Sequence, residues 1–320
     1  MASGLRVAVS GVAGSIGSKL VERLAASDGV DSVVAFDARP VVVDHPKVMS
    51  FQQDIRQPLA GILRRHGVDA FVHLAFLLRA GRNRASARRV NVGGTAEVLR
   101  ECRAAGVRRL LYLSSTTVYG ARAGDPQPYT EESPVRPVRG FQYAEDKAAT
   151  ESLLQAFAAE NPDTCVTVLR GCPVVGPRSE NFATQALRRL VRVRIRGADP
   201  PMQFVHENDL LSALELCLLE PVPGVFNVTG EGTVAYSELV RVTGARCVTL
   251  PAPVLACIAQ ASWALRLQSD APAAGLAMAR WPWVASHEKL TRETGFRPRY
   301  TSREALQAST LAKDRGAPRD

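Results

Sequence analysis

Tyr143 and Lys147 stand four residues apart at the start of a predicted helix, a spacing that puts both side chains on one face. A tyrosine titrates at about 10, and a neighbouring ammonium favours its phenolate, so the pair can supply a base near neutral pH that takes a hydroxyl proton without a metal. By itself Tyr-x-x-x-Lys arises by chance on many helices, so its meaning depends on the rest of the chain. A second chemical element is Ser10-Gly11-Val12-Ala13-Gly14-Ser15-Ile16-Gly17, which directly follows an apolar run and opens a predicted helix. Glycines there allow a tight turn and bring backbone N–H groups close to a pyrophosphate at the positive end of the helix. Asp37 lies 20 residues beyond Gly17, at the end of the next apolar run, where a carboxylate accepts hydrogen bonds from an adenosine ribose. Loop and carboxylate together indicate a dinucleotide site, and a cationic nicotinamide is a further charge favouring the Tyr143 phenolate.

The charge of Asp37 repels the 2′-phosphate of NADP and suits the ribose hydroxyls of NAD, so NAD is the expected cofactor. Arg39, two residues on, is the opposing feature: it can clamp that phosphate, or stand as an exposed loop residue. The five histidines (His45, His66, His73, His206, His287) form no ligand spacing, and no metal is expected. His73, on a core strand, reads as a satisfied buried histidine.

Apolar β-rich runs at 5–11, 32–37, 70–75, 108–115 and 165–171 alternate with helical stretches at 15–27, 57–67, 90–105 and 145–159. Continuous Val, Leu and Ile indicate strands buried on both faces. The fold class is therefore α/β: a doubly wound parallel-sheet (Rossmann) domain with a smaller, mixed C-terminal substrate lobe. Beyond Gly176 the rhythm loosens, with Pro-rich joints at 200–201 and 221–223. The expected division is a dinucleotide-binding domain over 1–175, with 203–230 returning to it, and a substrate lobe made of 176–202 and 231–320.

A chain of 320 residues, 46% hydrophobic and 22% charged, can bury a sizeable core. The N-terminus enters a strand-like run within five residues, leaving no room for a secretion signal. Residues 254–267, the most apolar later stretch, are interrupted by Gln260 and Arg266 and fall short of the roughly 20 residues a membrane helix needs, so they read as a packed helix. Six cysteines without a C-x-x-C pair indicate neither zinc nor a disulfide framework and suit a reducing cytoplasm. A net charge of +9 raises the possibility of nucleic-acid binding, but only five of the 40 basic residues are Lys. So strong an Arg preference beside abundant Ala and Val reads as codon usage spread over the surface. No nucleic-acid or membrane partner is expected.

With these residues in place, the chain resembles the extended short-chain dehydrogenase/reductase family, the NAD-dependent epimerase/dehydratases, from Val7 to about Leu306. Its G-x-x-G-x-x-G spacing is that family's form. Further matches follow in order: Asp54-Ile55-Arg56, Val72-His73-Leu74-Ala75, Asn91-Val92-Gly93-Gly94-Thr95, Leu113-Ser114-Ser115-Thr116-Thr117-Val118-Tyr119-Gly120, Tyr143-Ala144-Glu145-Asp146-Lys147, Val175-Gly176-Pro177-Arg178 and Phe204-Val205-His206-Glu207-Asn208-Asp209. The resemblance implies a Ser115, Tyr143 and Lys147 catalytic group, with the Ser115 hydroxyl on the reacting oxygen. For the cofactor it implies Gly11, Gly14, Ser15, Ile16 and Gly17 at the phosphates, Asp37 and Arg39 at the ribose, and Asp54 and Ile55 at the adenine. Leu74, Ala75 and Ser114 would line the cofactor, residues Arg170 through Pro173, Cys172 among them, would lie under the nicotinamide, and Val174 would be a further cofactor contact. Asn91 belongs either to the cofactor site or to the N-cap of its helix. Phe76, Ser115, Thr116, Arg178 and Arg196 are the implied substrate contacts.

Two departures bear on the reaction. Family members that dehydrate sugar nucleotides carry Asp-Glu where this chain has Thr116-Thr117, so 4,6-dehydration is not expected. UDP-sugar enzymes of the family carry an arginine for the diphosphate where this chain has Met202. Arg192, Arg194 and Arg196 alternate along one strand face, where they either replace that contact or guard an exposed strand edge. The leading expectation is an NAD-dependent epimerase acting on a nucleotide-sugar-like substrate. Its alternatives are an NAD(P)H-dependent carbonyl reductase or dehydrogenase on a non-nucleotide substrate and, from another class, a dinucleotide-sensing binding protein. A homodimer through 90–105 and 145–159 is the expected assembly.

Overall fold

The computed structural model describes residues 4–79, 81, 83–188, 191–267 and 273–314. Seven parallel strands make one sheet: β1 (Leu5–Ser10), β2 (Val30–Asp37), β3 (Val48–Gln52), β4 (Ala70–His73), β5 (Arg109–Ser115), β6 (Cys165–Gly171) and β7 (Gly224–Val228). They run β7-β6-β5-β4-β1-β2-β3 across the sheet. The chain therefore leaves β1 in one direction and returns on its other side at β4. In a sheet of this kind ligands bind beyond the carboxyl ends of the strands at that switch point, and Ser10 of β1 lies in register with His73 of β4 there. Sequence reading found five of the seven strands. It missed β3, a half-buried strand at the sheet edge with the mixed sequence VMSFQ, and β7, five residues following the proline joint at 221–223.

Helices α1 (Ser15–Ala25), α2 (Ala60–Arg65), α3 (Arg84–Arg88), α4 (Gly94–Ala105), α5 (Gln142–Glu160), α6 (Phe182–Leu187) and α7 (Glu207–Leu219) follow in chain order. The core has two halves. On one face Leu20, Val21 and Leu24 of α1 and Leu210, Leu211 and Leu214 of α7 pack with Val7 and Val9. On the other, Val98, Leu99 and Leu154 pack with Ala8, Phe36, Phe71 and Leu110. Alternate strand residues thus serve opposite cores, which is why the runs carry no polar face. The buried side chains of Lys19 and Glu207 meet in an ion pair that ties α1 to α7.

The helix expected from 90 begins earlier, at Arg84. It is capped by the Asn83 side chain accepting from the Ser86 N–H at 2.9 Å, and it passes through a π-turn, Arg89–Gly93, into α4. The C-terminal segments add α8 (Tyr236–Val242), α9 (Ala252–Ala264), α10 (Glu288–Thr294) and α11 (Ser302–Asp314), and a two-stranded parallel pair of Val191–Ile195 with Arg246–Leu250. One expectation fails here. Residues 254–267 are not a packed helix: only Leu255 of α9 is buried, while Val254, Ile258, Leu265 and Leu267 are exposed. Apolarity of sequence reports side-chain type, and here it does not coincide with burial. Among the described residues no helix is long and apolar enough to cross a membrane.

Candidate active site

The carboxyl ends of β1, β4, β5 and β6 open onto a cavity of about 560 Å3. Gly11, Gly14, Ser15, Ile16 and Gly17 form one part of its wall, joined by Leu74, Ser114, Cys172, Pro173 and Val174. Gly11 holds φ at +80°, and a Cβ there would lie 2.5 Å from the Ala75 nitrogen; at Gly17 a Cβ would collide with the Gly11 carbonyl. The loop is therefore folded against itself and against the end of β4 as only glycine permits, leaving the N-terminus of α1 open to a ligand. Asp37 ends β2 beside it. Its carboxylate accepts from the Ala13 N–H at 2.9 Å and from the Arg39 N–H at 2.9 Å. The acidic residue thus braces the glycine loop, which sequence spacing alone did not reveal. The Arg39 side chain lies 3.5 Å from the same carboxylate and is largely exposed.

Ser115, Tyr143 and Lys147 all reach the same cavity, Ser115 from the last position of β5 and the other two from the first turns of α5. Ser115 Oγ accepts from the Thr117 N–H at 3.3 Å and the Thr117 hydroxyl at 3.1 Å. Burial pushes the Tyr143 phenol up, opposed by hydrogen bonding with Ser115. Burial also pulls the Lys147 ammonium down to about 7, although Glu151 opposes this. Lys147 Nζ donates to the Leu113 carbonyl at 2.6 Å and sits 3.8 Å from the centre of the Phe76 ring. The Phe76 ring also stands edge-on to Tyr143, 5.6 Å away. Burial thus opposes the phenolate, which the sequence reading assigns to a neighbouring ammonium and a cationic nicotinamide acting together.

Behind these residues lies a buried polar layer. Arg170 and Glu151, both nearly inaccessible, form a bidentate pair with a shortest separation of 2.6 Å. Glu151 also accepts from the Ser114 hydroxyl, and Arg170 donates to the Tyr119 oxygen at 2.8 Å, whose hydroxyl donates to Asn227 at 2.8 Å. The network joins β5, β6, β7 and α5 beneath the catalytic end. His73 bonds to Ser10 Oγ at 2.8 Å and Thr95 Oγ1 at 3.0 Å, and burial, then Lys147, lower it to about 3. It is a neutral structural histidine.

Several implied contacts fall outside the cavity wall. Asn91 is not an N-cap: it lies in the π-turn, accepting from the Leu77 N–H at 2.8 Å and donating to buried Asp146 at 3.1 Å. It thereby holds the loop after β4 against α5. Asp54 is occupied by its neighbour Arg56, whose guanidinium and N–H lower its carboxyl, and Ile55 is buried against Gly94. Ala75 meets the glycine loop through its backbone. Thr116 is fully buried, and Thr117 faces the cavity in its place. Arg178 and Arg196 are exposed away from the wall. Of the alternating arginines it is Arg192 that lines the cavity, buried and donating to the Leu187 carbonyl at 2.7 Å and Thr243 Oγ1 at 3.1 Å. The same three-residue alternation that suggested one face also contained this answer, but nothing in spacing singled out Arg192. Trp263, Met278 and Trp283 also line the wall and carry no recognisable spacing in sequence.

The chain is similar to known proteins over most of its length. An uncharacterized protein of Mycobacterium tuberculosis is 29% identical over 315 residues, covering 94% of this chain and 82% of that relative. A UDP-glucose 4-epimerase of Erwinia amylovora is 29% identical over 295 residues, covering 72% of this chain and 85% of that relative. The solved structure of MoeE5 in complex with UDP-glucose and NAD superposes with a TM-score of 0.75 at 26% identity, covering 97% of this chain and 99% of MoeE5. Residues 7–229, which hold the glycine loop, Ser115, Tyr143 and Lys147, match the family directly. The chain belongs to the NAD dependent epimerase/dehydratase family.

Proposed function

We propose that this protein is an NAD-dependent enzyme that moves hydride between the cofactor and an alcohol or ketone carbon of its substrate, with Ser115, Tyr143 and Lys147 as its catalytic group. The observation that carries this reading is the convergence of the glycine loop and these three side chains on one cavity. The glycine loop fits a dinucleotide: Gly11 and Gly17 let it close on Ala75 and on itself, where a Cβ would collide with backbone, and so leave the N-terminus of α1 open. NAD, when bound, supplies the hydride acceptor and donor, and its nicotinamide brings the extra positive charge. Tyr143 takes the substrate's hydroxyl proton on oxidation and returns it on reduction. Ser115 holds the reacting oxygen. Lys147 supplies the cation on the cofactor side of Tyr143. Asp37, beside the loop, favours NAD over NADP.

Relatives named as UDP-sugar enzymes support epimerisation of a nucleotide-sugar-like substrate, in which hydride leaves and returns to one carbon. A specific observation favours the second reading, oxidoreduction of a non-nucleotide substrate: Met202, not an arginine, stands at the cavity wall. A homodimer through α4 and α5 belongs to either reading.

The test is to denature the purified protein and identify any released dinucleotide by mass spectrometry, beside Tyr143→Phe. Recovered NAD, and loss of turnover by at least a hundredfold in the variant, are expected. NADPH as the sole saturable ligand, or full activity in Tyr143→Phe, overturns the proposal.

A further inference from the structure

We infer that the substrate is an apolar secondary alcohol or the matching ketone, whose reacting oxygen meets Ser115 and Tyr143 while a hydrocarbon body fills the part of the cavity walled by the C-terminal segments. This rests on the hydride-transfer reading above and names its substrate class.

The C-terminal part of the wall is carbon. Leu187, Met202, Leu239, Trp263, Met278 and Trp283 line it. Two side chains there that carry polar atoms direct them into the protein. The Trp283 indole donates to the Met278 carbonyl at 3.0 Å, and the Tyr236 hydroxyl donates to the Val193 carbonyl at 2.8 Å. Both rings therefore show the cavity their carbon edges and faces.

A diphosphate carries charge that must be matched by cations or by many donors when it is taken out of water. Three arginines reach the wall among the described residues, Arg79, Arg84 and Arg192. Each is engaged by the protein: Arg79 with Gln185 at 2.8 Å, Arg84 with Gln142 at 2.9 Å and Glu145 at 3.3 Å, and Arg192 with Leu187 and Thr243 as above. Recruiting them to a diphosphate competes with these bonds for the guanidinium donors, whereas a hydrocarbon body requires nothing of them. The one oxygen such a body must present has its partners at Ser115 and Tyr143. The Lys147 ammonium is turned to the Leu113 carbonyl and covered by Phe76, so it adds no exposed cation there.

Two of the three tryptophans, Trp263 and Trp283, line the cavity, so tryptophan emission reports its occupancy. The NAD-loaded full chain is titrated with cyclic ketones of rising carbon number, and separately with UDP and UDP-glucose. Affinity should rise about fourfold for each added methylene that the wall accepts, and the two nucleotides should leave the emission unchanged. In Met202→Arg the apolar ketones should bind at least tenfold more weakly while NAD affinity is kept. Saturable binding of UDP-glucose, or ketone affinity indifferent to carbon number, overturns the inference. Turnover separates the two readings: if Tyr143→Phe oxidises the matching alcohols at the parental rate, the catalytic assignment fails while the binding series still decides the substrate class.

Discussion

Replacing Lys147 by Met should make the cofactor-free protein more stable at pH 6 while abolishing turnover. Burial holds the ammonium down from 10.5 to about 7, against the pull of Glu151. Between these values the unfolded chain binds a proton that the folded chain does not, so stability rises with pH across that window. The cost of the buried cation is complete below about 7 and gone above about 10.5. A displacement of that size corresponds to a cost on the order of 5 kcal/mol. Methionine keeps the unbranched stem but loses the bond to the Leu113 carbonyl and the contact over Phe76, together about 2 kcal/mol. The net gain is about 3 kcal/mol at pH 6, shrinking and then reversing as pH approaches 10. Glu151, Tyr112, Tyr143 and His73 surround the site and remain in both proteins; Lys147 is the smaller of the two causes that lower His73, so burial still lowers it in the variant. Urea unfolding of both proteins at a series of pH values measures the difference. A variant less stable than the parent at pH 6, or a difference independent of pH, refutes the reasoning.

Three other perturbations follow from the same geometry. Arg170→Met leaves Glu151 buried without its cation and should cost about 3–5 kcal/mol in urea unfolding, whereas Arg170→Met with Glu151→Leu should recover most of that loss; additive losses would show that the pair is not coupled. Asp37→Asn should weaken NAD about tenfold by calorimetry and NADP less, because the amide no longer opposes the extra phosphate; equal weakening of both would remove Asp37 from cofactor choice. Gly11→Ala, at φ +80° and 2.5 Å from the Ala75 nitrogen, should lower stability by about 2 kcal/mol or more and eliminate dinucleotide binding, and a variant that binds NAD normally in calorimetry would contradict the close approach.

The parts of the fold legible in sequence are those whose signal is local and redundant. Strands β1, β2, β4, β5 and β6 are buried on both faces and show as unbroken apolar runs, and the glycine loop is marked by both composition and position. What was not legible depends on partners distant in sequence. Asn91 looks like a cap because its neighbours are glycines and valines, but its partners are Leu77, 14 residues before it, and Asp146, 55 residues after it. Arg192 lies within the short strand and bonds Leu187 of α6 and Thr243 just after α8, whereas Arg196, on the same side by spacing, lies just past the strand's end and is exposed. Helix α9 lies outside the core although its composition is that of a core helix.

The electrostatics of the catalytic end show why residue types alone overstate its readiness. A lysine four residues after a tyrosine suggests an activated base, and that holds only while the lysine is charged and near the phenol oxygen. Here burial weakens both charges at once: it raises Tyr143 and lowers Lys147, and Lys147 sits 6.0 Å from the centre of the Tyr143 ring with its proton on the Leu113 carbonyl. His73, the remaining titratable ring behind the site, is held neutral by burial and adds nothing. Behind the site, Arg170 and Glu151 form a buried ion pair whose further bonds go to Tyr119 and Ser114. Burial thus opposes charge on both groups, and in the proposed reaction the cationic nicotinamide joins Lys147 in favouring the phenolate.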